Sequence, residues 1–337
     1  MTGPRVWTMA LALMLLTGPA SPSLAQPSLI WTAGAMGGEW YAISGGMAEL
    51  LRQKAGIAIK VVPGGGAQNP VLIEKGEAQI GLGLPPLLGA ARQGDDPYTG
   101  TRSEKLRGLA GNMSFNTLHL YVAADSPFAR MTMDEIFRGR KPIRLAIGKP
   151  GTSDVWMFEK VMEYFELCAP DKISDCYRSW ERAGAKFFRG SYAEQAAAFK
   201  DRSVDGTFAS LALPAASIRE ASQSRQMKLL AFPPALLDYL TKYGLGEGAI
   251  PAGTYPRAIN GDQAFASATM GTTVTVSSQM ADDLAYLITR TINDNADLVR
   301  LIHPSLADYD PAKACEHLGV PLHPGAERYY REKGWLP

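Results

Sequence analysis

The sequence predicts an α/β protein of two lobes. Short apolar or β-branched runs alternate with segments of helical period, the loops leading from strand to helix are rich in glycine, and the strand–loop–helix order starts again in mid-chain. The 337 residues suffice for two such units.

The elements follow in chain order. "SLIWTAG" ends an apolar strand, and Ile43, Met47, Leu50 and Leu51 fall at helical spacing in "AISGGMAELLRQK". "IAIKVV" is a β-branched strand; in "PGGGAQNP" Asn69 is placed to cap the next helix and Pro70 to occupy its first position. The helix "VLIEKG" and the strand "AQIGLGLPP" follow, then a mixed region, then the strand "TLHLYVAADS". With "IRLAIG" the pattern restarts: "KPGTSD" is a loop, and "VWMFEKVMEYFEL" a helix with Val155, Phe158, Met162 and Phe165 on one face. "AKFFRGS" leads to a helix at Ser191, where Glu194 completes a capping box, and "SVDGTFASLALP" repeats the strand-to-proline ending of the first unit. "MGTTVTVSS" is a strand and "QMADDLAYLITRTINDNADLVRLI" one long helix, broken by "HPSLADYDP".

Residues 1–25 read as a signal peptide: one basic residue, Arg5, then the apolar "VWTMALALMLL", then Ser23 and Ala25 at positions suited to cleavage after Ala25. The run is too short to span a membrane, which takes about twenty apolar residues. Arg5 accounts for the whole excess of the 34 basic over the 33 acidic residues. The expected mature chain is thus neutral and offers nucleic acid or an anionic membrane no global attraction. Cys168 and Cys176 lie in "LCAPDKISDCYRSW", read as a loop; in an oxidising compartment they are expected to form a disulfide worth about 2–3 kcal/mol, leaving Cys315 free.

The loop "TAGAMGGEWYAISGG" lacks the G-x-G-x-x-G spacing of a dinucleotide fold, the second strand ends Val61-Val62-Pro63 without an acid for a ribose, and no Gly-Lys-Ser/Thr marks a Walker loop. No G-x-S-x-G elbow accompanies the four histidines, His119, His303, His317 and His323. Cys315, His317 and His323 lack the spacing and fourth ligand of a metal site, and the pairs Asp95-Asp96 and Asp282-Asp283 read as solvated faces. No catalytic residue, metal or cofactor is assigned. What the glycine loops offer is backbone: unpaired amides at helix N-termini, set at the carboxyl edge of a sheet, where a small anion can be gripped without a basic surface.

The ordered set "GGEWYAISGGMAELL", "PGGGAQNPVLIEKGEAQIGL", "AIGKPGTSD", "VDGTFASLALPAASIREA", "AIPAGTYP" and "DLAYLITRTINDN" resembles the TAXI group of TRAP-associated periplasmic solute receptors over nearly all of the expected mature chain. The resemblance implies an α/β bilobal periplasmic-binding-protein fold, type II-like, with two lobes joined by crossing strands. It also implies a non-enzymatic receptor in the periplasm that captures a small organic acid or amino acid, glutamate-like or dicarboxylate, and hands it to the membrane permease subunits of a TRAP transporter. An ABC importer's receptor and a sensor accessory are the alternatives, with an exported enzyme on the same scaffold behind them. The expected lobes are 26–121 plus 269–337, and 122–268, with "LHLYVAAD" and "TTVTVSS" crossing between them.

Carried over by residue, the resemblance places Gly37, Gly38, Trp40 and Tyr41 in the first ligand loop and Gly65, Gly66, Ala67 and Asn69 in the second. The opposite lobe supplies Gly151, Thr152 and Ser153, then Phe208 and Ser210. Lys149 and Arg189 are the basic candidates nearby. Met36 and Glu39 depart from the family pattern. An inward Glu39 would repel a solute carboxylate, so it either faces solvent or meets an ammonium group.

Overall fold

Two β-sheets organise the chain, which runs through the first, crosses to the second and returns. The computed structural model describes residues 29–36, 38–168 and 172–336, together with Gly3. The expected cleavage after Ala25 and the site candidate Gly37 lie outside the described residues.

The first passage holds β1 (Leu29–Thr32), α1 (Glu39–Ala55), β2 (Ile59–Val62), α2 (Asn69–Glu74), β3 (Ile80–Gly83), α3 (Pro85–Gln93) and β4 (Leu106–Ala110). The middle passage begins with β5 (Phe115–Ala123), α4 (Met133–Arg138), β6 (Arg144–Ile147), α5 (Ser153–Tyr164), α6 (Ile173–Arg182) and β7 (Lys186–Arg189). It continues with α7 (Tyr192–Lys200), β8 (Gly206–Leu211), α8 (Ala216–Ser224), β9 (Met227–Leu229), α9 (Pro234–Thr241), β10 (Gly246–Ile250) and β11 (Phe265–Gly271). The return brings β12 (Thr273–Ser277), α10 (Asp282–Asp294), α11 (Ala296–Ile302) and α12 (Pro324–Glu332).

One sheet has the order β2-β1-β3-β12-β4; the other runs β10-β11-β5-β8-β6-β7, with β9 beside β5. In the first, β1 pairs in parallel with β2 and β3, as strand–helix–strand units require, and β12 closes antiparallel against β3 and β4. The chain changes sheet between β4 and β5 and again between β11 and β12, where Ser114 Oγ and Thr272 Oγ1 hydrogen-bond at 3.1 Å.

Local chemistry explains most boundaries. α1 buries Ile43, Met47, Leu50 and Leu51 on one face and stops at Gly56, whose φ of 69° is left-handed. α7 carries the Ser191/Glu194 capping box in full, each side chain bonding the other's backbone N–H.

Four expectations need correction. "DKISDCYRSW" is not all loop: α6 covers most of it and turns Cys176 and Trp180 inward, with Trp180 Nε1 donating to Lys141 O at 2.8 Å. The Cys168–Cys176 disulfide does form, with Cα atoms 4.8 Å apart. Its partner at Cys176 is thus on a helix. The long helix divides at Asn295, whose non-helical backbone separates α10 from α11 while its side chain back-bonds to Thr291 O. The mixed region contains α3, which the prolines begin rather than exclude because their missing N–H is not needed in a first turn.

Asn69 is the fourth. It is not the cap of α2, whose N-cap is Gln68; it lies inside the first turn and sends its side chain into the sheet. There Oδ1 accepts from Thr32 Oγ1 at 2.8 Å and Gly65 N at 2.9 Å, while Nδ2 donates to Ala33 O and Leu82 O, both at 2.7 Å. One amide thereby ties β1 and β3 to the glycine loop.

Candidate functional site

Helices start beside one another where the two sheets face. Gly38, extended, precedes α1; the loop 63–68 precedes α2; Thr152 precedes α5; and Ser191 precedes α7. Each start leaves backbone amides without helical partners. Between them lies a cavity of about 30 Å³, lined from one side by Gly38, Glu39, Trp40, Gly65 and Gly66 and from the other by Thr152, Ser153, Tyr192 and Ser210. Asn116, near the crossing, Gly34 and Ala35 complete the wall. That volume holds roughly one or two waters, so the two sides are almost closed on each other.

The glycines make the approach possible. A Cβ on Gly65 would stand 2.9 Å from the carbonyl oxygen of Gly151, one on Gly66 3.0 Å from Ser153 Cβ, and one on Gly38 3.0 Å from the Tyr192 ring. All three contacts cross from the first-sheet side to the second.

The electrostatics centre on two acids. Glu39 Oε1 accepts from Ala212 N at 3.0 Å, across the cleft. With the Asn116 amide oriented to satisfy its neighbours, its nitrogen donates to Glu39 Oε1 at 2.9 Å and its oxygen accepts from Thr272 Oγ1 and Trp40 Nε1. Burial pushes the Glu39 carboxyl up to about 7 against these hydrogen bonds. On the opposite side buried Asp154 accepts from Tyr192 Oη at 3.0 Å and Ser210 N at 3.3 Å. Burial, and after it the charge of Glu39, raise Asp154 to about 7 as well. Asp154 Oδ2 and Ser210 Oγ are buried without partners. Among the described lining residues there is no Lys, Arg or His.

A second hollow of about 280 Å³ adjoins the first through Gly38 and Glu39 and is walled by Tyr41, Ala42, Ala212, Pro214, Ala215 and His303. A more distant clasp joins the same two sides. Asp96, following α3, accepts from Lys160 Nζ at 2.7 Å and Trp156 Nε1 at 3.1 Å, both on α5, and Lys160 also meets Glu163 at 2.9 Å. Asp96 is therefore not a merely solvated acid, as its sequence context implied.

The structure places Gly38, Trp40, Gly65, Gly66, Thr152, Ser153 and Ser210 at the cavity. Tyr41 faces the adjoining hollow, and Gly151 lines an open groove beside Lys149. Three candidates lie off the cavity wall. Ala67 offers its carbonyl to Tyr98 Oη, Asn69 braces the loop from within, and Phe208 is buried in the core against Phe158 and Phe232. Lys149 pairs with Glu194 at 2.9 Å, and Arg189 covers the Tyr177 ring at 4.4 Å. Thr152 Oγ1 is spent on Lys149 O. Sequence reasoning missed Asn116, Asp154, Tyr192 and Ala212. Only Tyr192 had a signal, standing next to the capping serine of a helix start.

No cluster of metal-ligating side chains and no helix long and apolar enough to cross a membrane occurs among the described residues. His323 caps α12 through Nδ1 and bonds Met280 O through Nε2; His119, its imidazole pushed down to about 4 by burial, bonds Thr117 O and Tyr255 Oη.

Comparison with known proteins bears on this geometry. The sequence matches the NMT1-like family over residues 31–334. The chain belongs to the NMT1-like family. Among solved structures, this NMT1-like chain is similar to MatC from Rhodopseudomonas palustris with bound malate, at 11% identity and a TM-score of 0.52, over 91% of this chain and 97% of that one. Iron-bound HitA from Pseudomonas aeruginosa matches at 14% identity and 0.47, over 91% and 99%. A structure described as a periplasmic transporter matches at 15% and 0.46, over 92% and 95%. At 11% identity the likeness to malate-bound MatC is one of fold.

Proposed function

We propose that this NMT1-like protein is a periplasmic solute-binding receptor that traps a small polar solute between two lobes and breaks no bond. The observation that carries the reading is the cavity itself, enclosed by helix starts from both sheets and approached by side-chain-free glycines. Solute bound there touches both sides, so binding energy is available to hold the closed state. The proposed lobes follow the two sheets: the expected bounds, 26–121 plus 269–337 and 122–268, shift by a few residues so that β5 and β11, which pair within the second sheet, belong wholly to the second lobe. The proposed ligand loops are those of Gly38 and Trp40, Gly65 and Gly66, Thr152 and Ser153, and Ser210, with Tyr41 at the mouth.

The motif resemblance supports assignment to the TAXI receptors and delivery of an organic acid or amino acid to TRAP permease subunits, after export and cleavage following Ala25. Thermal-shift screening of the mature protein against dicarboxylates, keto acids and amino acids, followed by small-angle scattering with the best ligand, tests the receptor reading. A stabilising solute that contracts the particle is expected. Absence of any stabilising solute, with unchanged scattering, overturns it. Reconstitution with permease subunits under a sodium gradient, or with ATP, separates TRAP from ABC delivery.

A further inference from the structure

Glu39 brings a carboxylate of the chain's own into the place where an acidic solute would look for donors. Its Oε1 already takes the Ala212 N–H from across the cleft and the Asn116 amide from the crossing. A second acid, Asp154, backs the opposite wall through Tyr192 and Ser210, and no cationic side chain lines the cavity among the described residues. A solute carboxylate beside Glu39 would meet like charge or oblige that acid to take up a proton, in a partly desolvated space. An ammonium group reverses the sign of that interaction.

Hydrogen bonding points the same way. An ammonium has only donors and needs acceptors. Ser210 lines the cavity, is 3% exposed, and leaves its Oγ without a partner. Ionised Glu39 offers the remaining lone pairs. The adjoining hollow, walled by Tyr41, Ala42, Ala212, Pro214, Ala215 and His303, takes the rest of a small molecule whose cationic end is at Glu39.

We infer that the solute carries an ammonium group and that Glu39 is the residue that selects it, with the Ser210 hydroxyl as a second acceptor. The inference rests on the receptor reading and narrows it: a solute without a cation is the wrong one for this chain.

Matched pairs test it by calorimetry on the mature protein: L-alanine against L-lactate, L-glutamate against 2-oxoglutarate, and ethanolamine against ethylene glycol. The amine of at least one pair is expected to bind about 30-fold or more tightly than its partner, the size of effect a desolvated charge pair gives. In Glu39→Gln, which keeps size and an acceptor oxygen, that preference should fall to within a few-fold, with the unfolding curve showing that the variant is folded. Ser210→Ala should weaken the amine alone. Binding of 2-oxoglutarate, lactate or succinate as tightly as the amines, a preference that survives in Glu39→Gln, or failure of every amine to bind each overturns the inference. In the first two cases the receptor reading stands, because solute is still captured.

Discussion

The Glu39 carboxylate at the start of α1 accepts the backbone N–H of Ala212, just beyond β8, at 3.0 Å and 173 residues away in the chain. This bond joins the two sides of the cleft through an acid that burial makes reluctant to ionise.

Glu39 and Asp154 both titrate near 7 in the folded chain, above the 4.5 and 3.8 of the free groups, chiefly through burial. The folded state therefore holds protons that the unfolded chain has already released. The stability these carboxyls contribute is fully present below about pH 4 and is lost as pH rises through about 7, by at most ~1.4 kcal/mol per pH unit for each group. Since Glu39 acts on Asp154, the two are read as one coupled pair. The Tm of the unliganded protein is expected to fall between about pH 4 and about pH 7 and to level off above that, less steeply in Glu39→Gln. A wild-type profile no steeper than the variant's would contradict the burial of this acid.

Gly65→Val puts side-chain carbon where the Gly151 carbonyl oxygen already stands 2.9 Å from a single Cβ. Gly38→Leu does the same against Tyr192. The Gly65 contacts all lie across the cleft and vanish once the two sides separate, so Gly65→Val should fold and unfold like wild type without ligand; Gly38→Leu keeps a 3.2 Å approach to the Ala35 carbonyl on its own side and is expected to lose a little stability as well. Solute affinity should drop about 100-fold, as a closed state penalised by roughly 3 kcal/mol requires. Full retention of the ligand-induced thermal shift would remove these loops from the site.

Asp96→Ala releases Lys160 and the Trp156 indole N–H from their partner across the cleft. Lys160 keeps Glu163, and Asp96 is largely exposed, so the stability loss should be only about 1 kcal/mol. The larger effect belongs to closure: a red shift in tryptophan emission and an expanded particle in scattering. Unchanged emission and dimensions would show that the clasp does not hold the sides together.

Asn69→Ala deletes bonds to Thr32, Ala33, Gly65 and Leu82 at once, and these groups are buried. A loss of about 3 kcal/mol is expected in denaturant unfolding. Gln68→Ala at the helix cap, which has no side-chain capping bond, should cost little by comparison. Equal losses from both would return Asn69 to the role of a cap.

The features legible in the sequence were those fixed within a few residues. The Ser191/Glu194 box closes over three residues, the apolar stripe of α1 follows helical period, and Cys168 and Cys176 are held near each other by a short connection. The family motifs likewise marked the turns where strands feed helices. The same local reasoning failed at Asn69, whose amide makes five bonds to four residues of three segments instead of the cap its position suggested. Phe208, which a motif places beside the solute, packs in the core against Phe158.

The sequence by itself determined alternating strands and helices, the glycine turns between them and the disulfide pair, because each follows from backbone preference or short-range reach. Only the tertiary structure decided that Glu39 points into the cleft, that Asp154 and Tyr192 answer it from the opposite side, and that among the described residues no Lys, Arg or His lines the cavity between them. Those facts depend on which surfaces meet after distant segments pack, and the direction of a side chain is set by its neighbours in space.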